Sequence, residues 1–275
     1  MPFIEPLVAE DANPKNEFVI ARPQWHRGAD GREFNLRFSI EKVLLKDHDG
    51  NNLVSIEIGD EWSAISPKDR EEPYAQGFGN LEQMPKLAFY KNPEHEMVLT
   101  AALELDLPTG NPSVQEQQHT QLGPVLLWAK GWGDLPNLGF VKYLRPFGFQ
   151  GDFGYVPALG GRTWHEMFAD NVIEYSLPYL NNNVEDMGIP WPLNQIYLFT
   201  EFNYVQLVTG PSGQTFPDIR ITPGAAFMNH YFEIAAGTQL PLNDASVPAN
   251  HAAVLGLIDI FLDDVVPQIN WAPQL

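Results

Sequence analysis

The stretch Met97–Leu107, MVLTAALELDL, carries an apolar residue at every odd position. Its even positions become polar toward the end, where Glu104 and Asp106 stand. Successive side chains of a β-strand point to opposite faces, so one face of this strand is hydrocarbon and the other ends in two carboxylates. Its length also matches the roughly 9–11 residues that a tilted strand needs to cross a bilayer. A soluble β-sandwich and a membrane barrel both use such strands, and the rest of the chain has to decide between them.

The same period of two recurs along most of the chain, for example in Phe34–Ile40, Val54–Ile58 and Ile219–Phe227. Clusters of Asp, Asn, Gly and Pro separate these runs, as turns do. The pattern predicts about twelve strands in sequential hairpins, with no helix and no linker between them. We therefore divide the chain into a polar lead-in (1–15), one barrel domain (16–266) and a C-terminal tail (267–275).

Composition excludes several classes of function. The 275 residues include 35 acidic and 16 basic ones, a net charge of −19, which argues against nucleic acid as a partner. The absence of cysteine excludes disulfides, thiolate metal sites and cysteine nucleophiles. The acidic start lacks the pattern of a secretory signal, so we expect either a cytoplasmic protein or a mature chain whose signal peptide has been removed and a Met added.

Two features favour a membrane barrel over a soluble sandwich. The polar faces carry few charges, mixed with Gly, Ala, Ser, Gln and Asn, which suits a filled lumen. Short connections near 47–52, 92–94, 133–137 and 229–230 alternate with long ones near 63–76, 108–120, 157–166, 209–217 and 243–251, and only 181–194 breaks the rule. We predict an all-β fold, a single antiparallel up-and-down transmembrane β-barrel of about 12 strands, with the soluble β-sandwich as the alternative.

Several segments carry a resemblance to a known family: Gly77–Leu81 (GFGNL), Leu105–Gly110 (LDLPTG), Ala129–Pro136 (AKGWGDLP), Tyr143–Phe147 (YLRPF) and Tyr175–Tyr179 (YSLPY). Over about residues 75–265 the chain resembles the transporter-like outer-membrane proteins of the meta-pathway of phenol degradation. The resemblance implies a barrel in the outer membrane of a Gram-negative bacterium that passes small molecules.

Charged residues on the polar faces are the candidate functional residues. We expect them to line the lumen: Glu104, Asp106, Lys130, Lys142, Asp152, Glu174, Glu201, Arg220, Glu233, Asp259 and Asp263. One interpretation is a network of paired charges that fills the lumen. The other is an acidic pore that favours cations or polar uncharged solutes.

No catalytic or cofactor motif emerges. The seven histidines are scattered, none is paired at metal-ligand spacing, and neither a Gly-x-Ser-x-Gly elbow nor a phosphate loop is present. We expect no enzyme activity, no cofactor and no metal. The expected partners are membrane lipid and a small-molecule solute, with an oligomer or a complex partner left open. The function predicted is a channel or transporter in the bacterial outer membrane; the alternatives are a scaffold within an outer-membrane complex and a soluble secreted ligand-binding sandwich.

Overall fold

A computed structural model describes residues 2–28, 31–68, 74–114, 119–160, 164–209, 213–214, 217–243 and 252–275. Within this part of the chain, twelve long strands build the wall of a barrel. They are β1 (Glu17–Arg27), β2 (Gly31–Lys46), β3 (Asn52–Pro67), β5 (Leu81–Asn92), β6 (Met97–Leu107), β7 (Gln121–Gly131), β8 (Phe147–Pro157), β9 (Trp164–Ser176), β10 (Ile196–Thr209), β12 (Asp218–Met228), β13 (Phe232–Pro241) and β14 (Ala252–Phe261). Two short strands, β4 (Ala75–Phe78) and β11 (Gly213–Gln214), pair with β3 and β10.

Each wall strand pairs antiparallel with its neighbour along the chain, and β14 pairs with β1 to close the ring. The closing register runs from Glu17 opposite Phe261 to Arg27 opposite Ala252. Closure leaves each of the twelve wall strands paired with two neighbours, as a wall in hydrocarbon requires because no water is there to satisfy backbone groups. The predicted up-and-down barrel of 12 strands is therefore confirmed, and the sandwich alternative is wrong.

The outer face of the wall is apolar, as the alternation in Met97–Leu107 predicts. In β6, Leu103 points outward and is 49% exposed, whereas Thr100 and Ala102 point inward and are buried. Other strands expose apolar side chains in the same way: Leu126, Phe153, Ile173, Leu198, Ile234, Val254 and Ile258. A continuous apolar band around a closed barrel suits contact with lipid rather than water.

Aromatic side chains cluster near both ends of the wall. The ring centroids of Trp25 and Phe34 are 5.2 Å apart, at the end of β1 and the start of β2. Near the opposite end, Phe147 at the start of β8 lies 4.8 Å from Tyr175, centroid to centroid. Rings at these two levels form the girdles typical of barrel boundaries.

Pro2 and Leu275 lie at one end of the barrel, which we call the terminal end, and the opposite end is the loop end. The terminal end also carries the connections 47–51, 93–96, 132–146, 177–195 and 229–231. The short turn predicted near 133–137 is wrong, because β8 begins only at Phe147 and a 3₁₀ turn, Val141–Leu144, precedes it. No helix in the described residues is long and apolar enough to cross a membrane.

Candidate functional site

The lumen is occupied by the start of the chain. Residues 2–16, which we call the plug segment, precede β1 and form no strand. They run inside the barrel, where Ile4, Leu7, Ala9 and Ala12 are completely buried. The sequence predicts a polar lead-in over 1–15. In the structure these residues, from Pro2 onward, lie inside the barrel.

Carboxylates of the wall hold the backbone of the plug segment. Glu201 accepts hydrogen bonds from the amides of Leu7 at 2.6 Å and Val8 at 3.0 Å. Four more wall carboxylates each accept one amide of the segment: Glu174 from Ile4 at 3.2 Å, Glu233 from Glu5 at 3.0 Å, Asp152 from Glu10 at 2.7 Å and Glu41 from Lys15 at 3.1 Å. An ionised carboxylate only accepts hydrogen bonds, so it is a natural partner for the free amides of an irregular backbone.

Apolar packing also fixes the plug segment. Ile4, Leu7 and Ala9 pack with inward-facing residues of the wall, among them Val172, Phe199 and Leu255. Ala12 packs in a second cluster with Met84, Val98, Val125 and Leu127. Complete burial of a Leu or Ile side chain contributes about 1.5–3 kcal/mol, so these contacts favour the inserted position. The barrel's core is therefore the space between the plug segment and the wall.

Buried ion pairs anchor the segment to the first wall strand. Glu5 pairs with Arg22 of β1 at 2.6 Å and with Lys15 at 2.8 Å. Lys15 also contacts Asp11 at 2.9 Å and Glu17 at 2.7 Å. Burial of a charge requires such partners, and here both signs come from the segment and the first wall strand.

A cavity of about 320 Å³ remains above the plug segment, toward the loop end. We call it the vestibule. Val8 and Glu10 of the plug segment form part of its lining, and wall strands supply the rest, including Arg37, Glu82, Glu104, Asp106, Glu166 and Asp170. Arg37 joins the two parts, since its guanidinium lies 3.3 Å from Glu10 and 2.6 Å from Glu82.

Eight of the eleven predicted lumen residues face inward. Asp152, Glu174, Glu201 and Glu233 contact the plug segment, and Glu104 and Asp106 line the vestibule. Arg220 lies on the inward face of β12 and donates to Gln239 at 3.0 Å, and Asp259 is fully buried on β14.

The other three predictions are wrong. Lys130 alternates with the buried Ala129 and Gly131, so it lies on the outward face of β7, and its ammonium reaches the terminal-end carbonyl of His95 at 2.6 Å. Lys142 lies in the 3₁₀ turn before β8 and pairs with Glu185 at 2.7 Å. Asp263 follows β14 in a short helix, Leu262–Val265, and accepts from Asn16 at 2.7 Å.

A buried charged group on β5 was not among the predicted lumen residues. Lys86 is only 2% exposed, and its ammonium lies 2.9 Å from Glu41 and 2.8 Å from Glu57. The alternation in β2 and β3 places Glu41 and Glu57 on the inward face and could have identified both carboxylates. Pro85 interrupts the alternation in β5, so the inward position of Lys86 is harder to predict from the sequence.

The histidines and acidic residues of the described part of the chain include no group of three that could hold a metal ion. His95 contacts Asp134 at 2.9 Å at the terminal end, and His26 contacts Gln24 at 3.0 Å. His251 lies outside the described residues.

Comparisons with known proteins bear on the fold. No family model matches the chain, and no curated protein matches it in sequence. Among solved structures, an outer membrane channel from Pseudomonas putida F1 matches with a TM-score of 0.61 and 10% identity, over 94% of this chain and 99% of that one. Outer membrane phospholipase A from Escherichia coli matches with a TM-score of 0.42 and 8% identity, over 92% and 94% of the two chains. The chain thus shares the fold of an outer-membrane channel, in agreement with the predicted location in the bacterial outer membrane.

Proposed function

We propose that this chain is an outer-membrane channel for small polar solutes, and that its own plug segment closes the lumen. The observation that carries the proposal is the set of hydrogen bonds from the segment's amides to the wall carboxylates, led by Leu7 and Val8 to Glu201. These contacts hold the segment at the centre of the barrel. The segment takes no part in the backbone hydrogen bonds that join the wall strands.

The plug segment can leave without unfolding the barrel. It contributes no strand, and all twelve wall strands keep their backbone partners without it. Its departure would expose a lumen lined by Glu174, Glu201, Glu233 and Asp152. Rings of charged side chains around a water-filled space conduct ions and select them by charge. Negative charges would favour cations and polar solutes over anions.

Conductance across planar bilayers tests this proposal. The full chain is expected to show mostly closed channels with rare openings, and a variant that lacks residues 2–12 is expected to conduct steadily and to prefer cations. Deletion at the other terminus, of residues 273–275, is the control and should leave the closed state unchanged. Equal, negligible conductance of the full chain and the deletion variant, both folded, would contradict a channel function.

We propose no catalytic activity for the chain. The wall carboxylates that contact the plug segment hold its backbone amides, as Asp152 does for Glu10. His95 pairs with the carboxylate of Asp134, at the exposed terminal end of the barrel. These groups have structural partners in the closed channel.

A scaffold role is the second candidate, and exposed apolar side chains at the terminal end favour it. Phe140 and Trp191 are each 75% exposed, and Leu138 is 73% exposed, in the connections 132–146 and 177–195. These residues lie beyond the wall strands, where a partner could cover them. A scaffold predicts that the chain extracted from native membranes sediments as a larger species than the refolded chain. The variant Phe140→Ser should reduce that difference, and a single identical species would argue against the scaffold.

A further inference from the structure

The vestibule contains more negative charge than the described residues neutralise. Glu104 and Glu166 line it and make no hydrogen bond or ion pair with any described residue. Asp106 also lines it and is only 9% exposed, and its Oδ1 atom has no hydrogen-bond partner in that part of the chain. The other oxygen of Asp106 accepts only a long hydrogen bond, 3.4 Å, from Asn80.

The strand register brings two of these charges face to face. Asp106 on β6 is directly opposite Glu82 on β5, and both line the vestibule. Like charges at opposed positions of neighbouring strands destabilise a sheet. Arg37 lies 2.6 Å from Glu82 and 3.3 Å from Glu10, so its guanidinium is already shared between two carboxylates. Asp106, Glu104 and Glu166 therefore have no ion-pair partner among the described residues.

We propose that the vestibule binds a small organic cation with two protonated amines. The inference rests on the channel proposed above and names the chemical class of its solute. No three carboxylates among the described residues are grouped closely enough to hold a metal ion. The acceptors are instead distributed around a cavity of about 320 Å³. The two ammonium groups of one solute would contact different carboxylates of this lining.

The chemistry of the lining fits such a solute. Each ammonium group offers three donors, and carboxylates form strong charge-assisted hydrogen bonds with them. Phe168 and Met84 also line the vestibule and can contact the methylene chain between the two amines. A neutral diol of the same length would fit the same space, but it has no positive charge to pair with the carboxylates. A single metal ion would meet no ready-made set of ligands.

Equilibrium binding to the full-length folded chain tests the proposal. Titration calorimetry in detergent would compare 1,4-diaminobutane with 1,4-butanediol, which has the same length and no charge, and with Ca²⁺. We expect saturable binding of the diamine and none of the diol. Asp106→Asn and Glu104→Gln should each weaken diamine binding roughly tenfold, because each removes a charged acceptor. Glu94→Gln, an exposed residue at the opposite end, is the matched control and should bind as the unmodified chain does.

Four results would contradict the proposed diamine site. Absence of diamine binding, equal binding of the diol, or unchanged affinity in both folded vestibule variants would overturn the inference. Saturable binding of Ca²⁺ in place of the diamine would overturn it as well, since the site would then be a metal site. Because binding is measured without conductance, a chain that binds the diamine but stays non-conducting after deletion of residues 2–12 would support the site while contradicting the channel.

Discussion

The Glu201 carboxylate and the Leu7 amide, 194 positions apart in the sequence, form a buried hydrogen bond of 2.6 Å across the lumen. The same carboxylate accepts the next amide, that of Val8. One wall side chain therefore fixes two consecutive amides at the middle of the plug segment. The position of the segment depends on this residue more directly than on any pairing of strands.

Loss of the Glu201 carboxylate is expected to loosen the plug segment. In Glu201→Ala the two amides stay buried without acceptors, at a cost of about 1–3 kcal/mol each. The open fraction in single-channel recordings should rise at least about tenfold, since every 1.4 kcal/mol is a factor of ten. Glu94→Gln, exposed at the terminal end, should leave the recordings unchanged. An open fraction as low in Glu201→Ala as in the parent chain would show that Glu201 does not hold the segment.

Removal of the buried ammonium of Lys86 is expected to destabilise the wall. Lys86→Met leaves Glu41 and Glu57 buried beside each other without their shared partner. Such a broken buried pair costs about 3–5 kcal/mol. The free energy of unfolding in urea, measured on the barrel in lipid vesicles, should fall by that amount.

Two further variants calibrate this measurement. Addition of Glu41→Gln to Lys86→Met should recover part of the loss, because it removes one of the two unpaired charges. Lys46→Met, at the end of β2, should cost less than about 1 kcal/mol because its partner Asn270 is at the surface. A loss for Lys86→Met as small as that of Lys46→Met would contradict the buried network.

A charge on the outer face tests the lipid contact. Leu103 points outward near the middle of β6 and is 49% exposed. Leu103→Arg should lower the free energy of unfolding from vesicles by about 2–4 kcal/mol, the range for cationic side chains at the bilayer midplane. Leu103→Met should cost less than about 1.5 kcal/mol. Equal small losses for both substitutions would mean that this face does not meet hydrocarbon.

Acid is expected to weaken one ion pair between the two long terminal-end connections. The hydrogen bond from the Lys142 ammonium, 2.7 Å long, and a second from the Tyr143 hydroxyl lower the pKa of Glu185 below its ordinary value. Because the folded pKa is lower than the unfolded one, the stabilisation is complete at neutral pH and is lost as the pH falls through the lowered value. A carboxyl NMR titration should show the lowered midpoint, and Lys142→Met should move it upward. An identical midpoint in both proteins would contradict the contact.

The alternation of apolar and polar side chains predicts the wall strands because the outward face of each strand contacts lipid. It places Glu174, Glu201 and Glu233 inside correctly, since outward charges would meet hydrocarbon. It fails at Lys130, because β7 is apolar on both faces: Val125 and Leu127 face inward and pack near Ala12 of the plug segment. It fails at Lys142 because the aromatic pattern of β8 continues backward through a 3₁₀ turn.

The plug segment leaves almost no trace in the sequence. It has neither a strand period nor a helical one, because its backbone bonds to side chains instead of to a neighbouring strand. Its apolar residues, Ile4 and Leu7, pack against inward-facing apolar residues of distant strands. Pairings between residues so far apart depend on the closed barrel and cannot be read from local patterns.

Accessibility of the plug segment tests the central claim most directly. The chain has no cysteine, so a single Leu7→Cys introduces one thiol, at a position that is completely buried inside the barrel. With a membrane-impermeant charged thiol reagent in vesicles, we predict negligible reaction in the closed channel. Glu94→Cys, at the exposed terminal end, should react quickly wherever that end faces the reagent, and Leu7→Cys combined with Glu201→Ala should gain reactivity. Reaction of Leu7→Cys in the closed channel as fast as that of Glu94→Cys would show that residues 2–16 do not fill the lumen.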